Sequence, residues 1–241
     1  MKKLILLSLW CGTAYSNEAV ISFGERLFND TRFSQAFYEV SAGDVNYQVN
    51  TNSISKPQLM SCSSCHMVDQ AFEDESIGAM RGYNDFEELT EVPFRNDGVK
   101  TTLRNTPTLV GIGSKYAQNR FSHYDGELHD HSQTVLGNFT GRNMGWKNNE
   151  KAQALNNIIS IIKQDNGQSD LAQEFGGSYE KVLLGVDPSI PEDLRLPISS
   201  RLDVYKASDA EILDLVINLV TGYMNSLDFE TDDDGLYTGS T

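Results

Sequence analysis

The chain has 241 residues, 39% of them apolar, and carries 34 Asp and Glu against 19 Lys and Arg for a formal net charge of −15. That acidity argues against nucleic acid and anionic membranes as partners and suits either a basic redox partner or plain solubility. No apolar stretch approaches the roughly 20 residues of a membrane span. The best one, Ile212 to Val220, is interrupted by Asp214 and Asn218.

At the N-terminus, Lys2 and Lys3 precede an apolar run from Leu4 to Trp10 and then small and polar residues ending in Ala14-Tyr15-Ser16. This is the pattern of a signal peptide over residues 1–16, so export to the periplasm is expected, with the mature chain starting near Asn17. Cys11 follows the apolar run, but the bulk of Trp10 argues against lipid attachment there. Cleavage leaves Cys62 and Cys65 as the only cysteines, and 34 acidic residues facing 17 basic ones, a net of about −17. The remaining length, about 225 residues, suits one domain over 17–230 and an acidic, flexible tail over 231–241.

Val20, Phe23, Leu27 and Phe28 recur at helical spacing between Glu18 and Asn29, predicting a first packing helix that ends at Asp30 and Thr31. Residues 31–57 hold no sustained period and read as a long loop with room for a hairpin. A helix from near Pro57 is expected to carry Cys62-Ser63-Ser64-Cys65-His66 and to continue through residues 67–74. Residues 76–103 are irregular, and Pro107 pushes Thr106 into an extended turn within 104–109. An aromatic segment, Phe121 to Glu127, is broken at Gly126.

A short helix is predicted from Asp130 to about Phe139, then a loop from Thr140 to Trp146 with an aromatic anchor. The helix from about Asn149 to Gln164 should turn Ala152, Leu155, Ile158, Ile159 and Ile162 inward. Shorter helices follow near 168–175 and 178–184, then an extended connection forced by Pro188, Pro191 and Pro197. Ser208-Asp209-Ala210-Glu211 reads as a capping box opening the last helix, with Ile212, Leu215, Val216, Leu219, Tyr223 and Leu227 on one stripe. Strands are few and no internal repeat is present, so the fold class is mainly α.

The chemistry is concentrated in Cys62-Ser63-Ser64-Cys65-His66, a C-x-x-C-H pattern. On a helix, positions i, i+3 and i+4 share a face, so both thiols can reach the two vinyl groups of one porphyrin while the imidazole meets its iron. A redox C-x-x-C needs no following His, and a zinc site needs two further ligands. The competing readings are a disulfide, or half a zinc site completed by His123, His129 or His131.

Four segments resemble the bacterial di-haem cytochrome c peroxidase and MauG-like family. They are Cys62 to His66 with Phe72 and Asp74 behind it, Arg104 to Leu109, Tyr124-Asp125-Gly126 in place of a Trp-Asp-Gly, and Gln133 followed by Thr140 to Trp146. The resemblance implies a cytochrome c-like haem domain with long loops and extra helices, the first of the family's two haem domains. It further implies one covalent haem c ligated by His66, and reduction of hydrogen peroxide with electrons from a small cytochrome or a second haem domain.

Gln133 stands where the family has a distal Gln, and Asn143 stands where a proton-moving Glu follows ten residues later. A carboxamide can hydrogen-bond peroxide but cannot shuttle a proton. His123, His129 or His131 would have to substitute, or a distal His could close the iron site, with Met144, Met80 and Met67 as weaker ligand candidates. Asn105 matches a family residue that helps bind calcium between the two domains; an Asx turn before Pro107 is the competing reading. Tyr124 matches a Trp between the haems.

A second C-x-x-C-H does not follow, and the sequence ends at Thr241. A single-haem protein, half of a split pair and a truncated reading frame are all compatible with that. The functional alternative is a single-haem electron-transfer or haem-binding protein without peroxidase activity.

Overall fold

The computed structural model describes residues 12–49, 59–66, 92–93, 95, 97–101, 106, 109, 111–113, 131–227, 229–231 and 237–240, with the backbone alone at 12–17 and in the two strands. The described residues are mainly helical, as the periodicity predicts. Helix α1 (Gly12–Asn29) and helix α7 (Asp209–Ser226) form the largest helix–helix contact, against which α3 (His131–Phe139) and α4 (Lys151–Gln164) pack. Two short helices, α5 (Asp170–Glu174) and α6 (Tyr179–Leu184), follow α4, and α6 packs back onto it.

The α1–α7 crossing depends on Gly24. A Cβ there would lie 2.2 Å from the Leu219 carbonyl oxygen and 2.7 Å from the Tyr223 Cβ, so only glycine lets the two backbones approach this closely. Around the crossing, Ala19, Phe23, Leu27 and Phe28 of α1 and Ile212, Val216, Leu219 and Val220 of α7 are nearly inaccessible to solvent. Helix α1 starts ahead of the expected cleavage point, but its buried residues, from Ala19 onward, all lie behind that point. Helix α7 opens on the predicted capping box: the Ser208 N–H donates to Glu211 Oε2 at 2.8 Å and the Glu211 N–H donates to Ser208 Oγ at 3.3 Å.

A buried ionic cluster fixes α1 to the second half of the chain. Arg26 donates to Asp165 Oδ2 at 2.7 Å and to the Gly177 carbonyl at 2.6 Å, and its guanidinium lies 3.8 Å from the Tyr179 ring centroid. Arg32 donates to Asp30 Oδ2 at 2.7 Å and to Asp165 Oδ1 at 2.9 Å, and the Tyr179 hydroxyl donates to Asp30 Oδ2 at 2.9 Å. Two cations against two anions leave no net charge in the interior, the condition under which burial of such groups is tolerated.

Some sequence expectations are corrected. Residues 31–57 are no plain loop, because a 3-10 turn at Thr31–Phe33 leads into α2 (Gln35–Ser41), capped by the Ser34 hydroxyl accepting from the Phe37 N–H at 3.3 Å. In α4 the buried face carries Ala154, Asn157, Ile158, Ile159, Ile161 and Ile162; Ala152 is exposed and Leu155 half-buried. The inward face is broader than one stripe because α4 meets both α6 and α7. Past α7, where composition suggested a flexible tail, β1 (Phe229–Thr231) pairs antiparallel with β2 (Tyr237–Ser240), Phe229 opposite Ser240 and Glu230 opposite Gly239.

Candidate functional site

The Cys62–His66 segment is a single tight turn. Ser61 is extended (φ −126°, ψ 177°), so the turn starts at Cys62 as a 3-10 helix over Cys62–Ser64, not in a helix running from near Pro57. The two residues between the cysteines build it: the Ser61 N–H donates to Ser64 Oγ at 2.9 Å, and the Ser61 hydroxyl shares hydrogen bonds with those of Ser63 at 2.9 Å and Ser64 at 3.2 Å. The Cys62 carbonyl then accepts from the Cys65 N–H at 3.2 Å and the His66 N–H at 2.9 Å. These i+3 and i+4 closures put Cys62, Cys65 and His66 on one turn, at the spacing from which side chains can share a face.

That turn packs on α1. Cys62 and Cys65 carry free thiols, half-buried against the main core. Burial pushes the Cys62 thiol up to about 12, the neighbouring Cys65 adding to the rise, and burial pushes Cys65 up to about 11. Both are therefore held in the uncharged form at neutral pH. Addition of an uncharged thiol across a vinyl double bond leaves a neutral thioether, which this apolar setting tolerates.

The His66 ring faces Phe28 of α1 at 6.4 Å between centroids, inclined by 53°. Phe28 in turn meets Tyr223 of α7 edge-on at 5.2 Å. Among the described residues no three His, Cys, Asp or Glu side chains converge to hold a bare metal ion. Two thiols packed against the core and an imidazole facing Phe28, all on one turn, form a donor set that fits a porphyrin.

The remaining candidates are placed unevenly. Gln133 is exposed in the first turn of α3, and Asn143 is exposed in a 3-10 turn at Arg142–Met144. The Asn143 amide donates to Asn138 Oδ1 at 2.6 Å, tying that turn to α3. The loop around it is locked: Arg142 donates to the carbonyls of Pro93 at 2.6 Å and Val99 at 3.0 Å, Arg95 donates to the Trp146 carbonyl, and the buried Trp146 indole donates to the Phe33 carbonyl at 3.1 Å. Met144 is 2% exposed within the core, which favours packing over iron ligation.

His131 is buried at the start of α3, its Nδ1 2.9 Å from Asn225 Oδ1 in the last turn of α7. His123, His129, Asn105, Tyr124, Met67, Met80, Phe72, Asp74 and Arg104 lie outside the described residues. Sequence reasoning missed Phe28 as the neighbour of His66, Tyr223 as the neighbour of Phe28, and Asn225 as the partner of His131. Phe28 and Tyr223 read only as members of apolar stripes, and no local pattern marks a contact between distant helices.

A family model described as di-haem cytochrome c peroxidase matches residues 50–189, a span that contains the C-x-x-C-H turn, Gln133 and Asn143. No curated protein and no solved structure matches the chain. The match covers more than half of the sequence, with the turn geometry at its start, and the chain thus belongs to the di-haem cytochrome c peroxidase family, whose members share a haem cofactor and peroxidase-type redox chemistry.

Proposed function

We propose that this chain is an exported c-type haem protein that reduces hydrogen peroxide, drawing electrons from a small cytochrome or a partner haem domain. The single observation that carries the reading is the Cys62–His66 turn, closed by the Cys65 and His66 N–H groups on the Cys62 carbonyl, with both thiols and the imidazole within it. Cys62 and Cys65 add across the two vinyl groups and hold the porphyrin covalently, each S–H hydrogen passing to the neighbouring vinyl carbon. His66 would supply the nitrogen ligand to its iron. When bound, the haem supplies a redox-active iron with a coordination position open to peroxide.

The chain's own residues then orient peroxide and move a proton. Gln133 and Asn143 offer amide hydrogen bonds, and an imidazole carries the proton in place of the family's Glu, with His123, His129 and His131 as the candidates. His131 is supported by its contact with Asn225: a carbonyl oxygen facing Nδ1 calls for a hydrogen there and leaves Nε2 as the acceptor. Calcium binding through Asn105 belongs to the same reading and would show as a loss of activity on chelation.

A second reading, electron transfer without peroxide reduction, is favoured by one observation. Asn143 replaces the proton-moving carboxylate and spends its amide on Asn138. The two separate by experiment: haem-loaded protein is mixed with peroxide and a reduced small cytochrome, and donor oxidation is followed. Turnover supports the peroxidase. A haem that stays six-coordinate and oxidises no donor supports the electron carrier.

A further inference from the structure

We infer that Phe28 is the positioning residue for the His66 imidazole, and that the α1–α7 crossing holds it there; the inference rests on the haem reading above. The backbone hydrogen bond from the His66 N–H to the Cys62 carbonyl fixes where the side chain starts but not the plane of its ring. Rotation about the Cβ–Cγ bond of histidine is a broad, roughly two-fold torsion, on which a packed aromatic neighbour can bias the plane. Phe28 stands 6.4 Å away at 53°, within the range where aromatic rings hold one another's orientation.

Phe28 is itself fixed. It is 1% exposed, and Tyr223 meets it at 5.2 Å and 64°. Tyr223 is seated by the crossing, since its Cβ would be only 2.7 Å from any Cβ at position 24. Gly24, Tyr223 and Phe28 thus form one stop, drawn from both helices, behind the iron-binding ring. The imidazole plane governs overlap with the iron d orbitals, so this stop sets the electronic character of the site without touching the reacting atoms.

The test uses haem-loaded full chain in the ferric cyanide form, whose hyperfine-shifted haem methyl proton resonances spread according to the axial imidazole plane. The parent and Phe28→Tyr are expected to share one pattern. Phe28→Leu is expected to change the spread or to give a second set of resonances. Tyr223→Leu, which keeps the Phe28 ring but removes its support, should shift the pattern in the same direction, and it serves if Phe28→Leu fails to fold. A Phe28→Leu protein with the parent pattern overturns the inference, as does a Phe28→Tyr protein that shifts as far as Phe28→Leu. A parent that carries no haem overturns the haem reading and the inference with it, so the two failures are distinct.

Discussion

Cys62, Cys65 and His66 show how far a local pattern reaches. Their spacing alone predicts a single turn at this point, and the Cys65 and His66 N–H groups do close one on the Cys62 carbonyl. The ring beside His66 was not legible, because Phe28 meets it, and Tyr223 meets Phe28, through tertiary contacts with no sequence signature. Asn143 is the residue that most divides the two functional readings. A positioned acid–base group contributes about 10²–10⁴-fold to a proton-transfer step. Asn143→Glu is therefore expected to raise kcat/KM for peroxide by about tenfold or more and to add an acidic limb to the pH–rate profile, read by stopped-flow. An unchanged rate and profile would place Asn143 away from the peroxide.

Most helices were legible as elements, including the short α5 and α6, whereas α2 and part of the buried face of α4 were not. Helix α7 announced itself through its capping box and long apolar stripe. In α4 the inward Ile158, Ile159 and Ile162 were placed correctly and Ala152 and Leu155 were not, because a helix packed on two sides buries a broader face, including Asn157, whose amide donates to the Arg32 carbonyl at 3.0 Å. Helix α2 was missed because seven residues carry too little periodicity. It ends on Ala42 in the left-handed region (φ 49°), where its N–H caps the Tyr38 and Glu39 carbonyls. Alanine is strained there and glycine is not, so Ala42→Gly is expected to stabilise the fold by about 1 kcal/mol. That corresponds to a rise of about 2–4 °C in the thermal midpoint for a domain of this size. A lower midpoint would contradict the assigned cap.

At the scale of the molecule, the Arg26–Asp165–Arg32–Asp30–Tyr179 cluster joins α1 to segments more than 130 positions away, which is why composition and periodicity gave no hint of it. Breaking a buried pair leaves an uncompensated charge, so Asp165→Ala, which removes the carboxylate paired with Arg26 and one of the two paired with Arg32, is expected to cost about 3–5 kcal/mol by denaturant unfolding. The pH dependence follows from Asp30 and Tyr179. Burial alone would raise the Asp30 carboxyl, but the Arg32 guanidinium outweighs burial and holds it below the ordinary value of 3.8. Its stabilisation is complete above that value and is lost as pH falls through the lowered one. Burial, with the Asp30 charge beside it, raises the Tyr179 hydroxyl well above its ordinary value of 10.0. That contribution is complete below 10.0 and declines as pH rises beyond it. Unfolding midpoints should accordingly be insensitive to these two groups from about pH 5 to 9 and fall outside that window, and Asp30→Asn should flatten the acid side. The acidic surface acts at the same scale: donor oxidation by a basic small cytochrome is expected to slow as salt rises from about 0.01 M to 0.15 M. A salt-independent rate would exclude a partner chosen by charge.

The claim on which the rest depends is that Cys62 and Cys65 hold a haem covalently with His66 at its iron. The direct measurement is haem staining of a denaturing gel, paired with the pyridine haemochrome spectrum, for protein made in cells that mature c-type cytochromes. The account predicts a haem band that survives denaturation in the parent. It further predicts an altered haemochrome maximum when either cysteine is replaced by alanine, and loss of the band when both are. A parent that migrates without haem, or a doubly substituted protein that keeps it, would contradict the account.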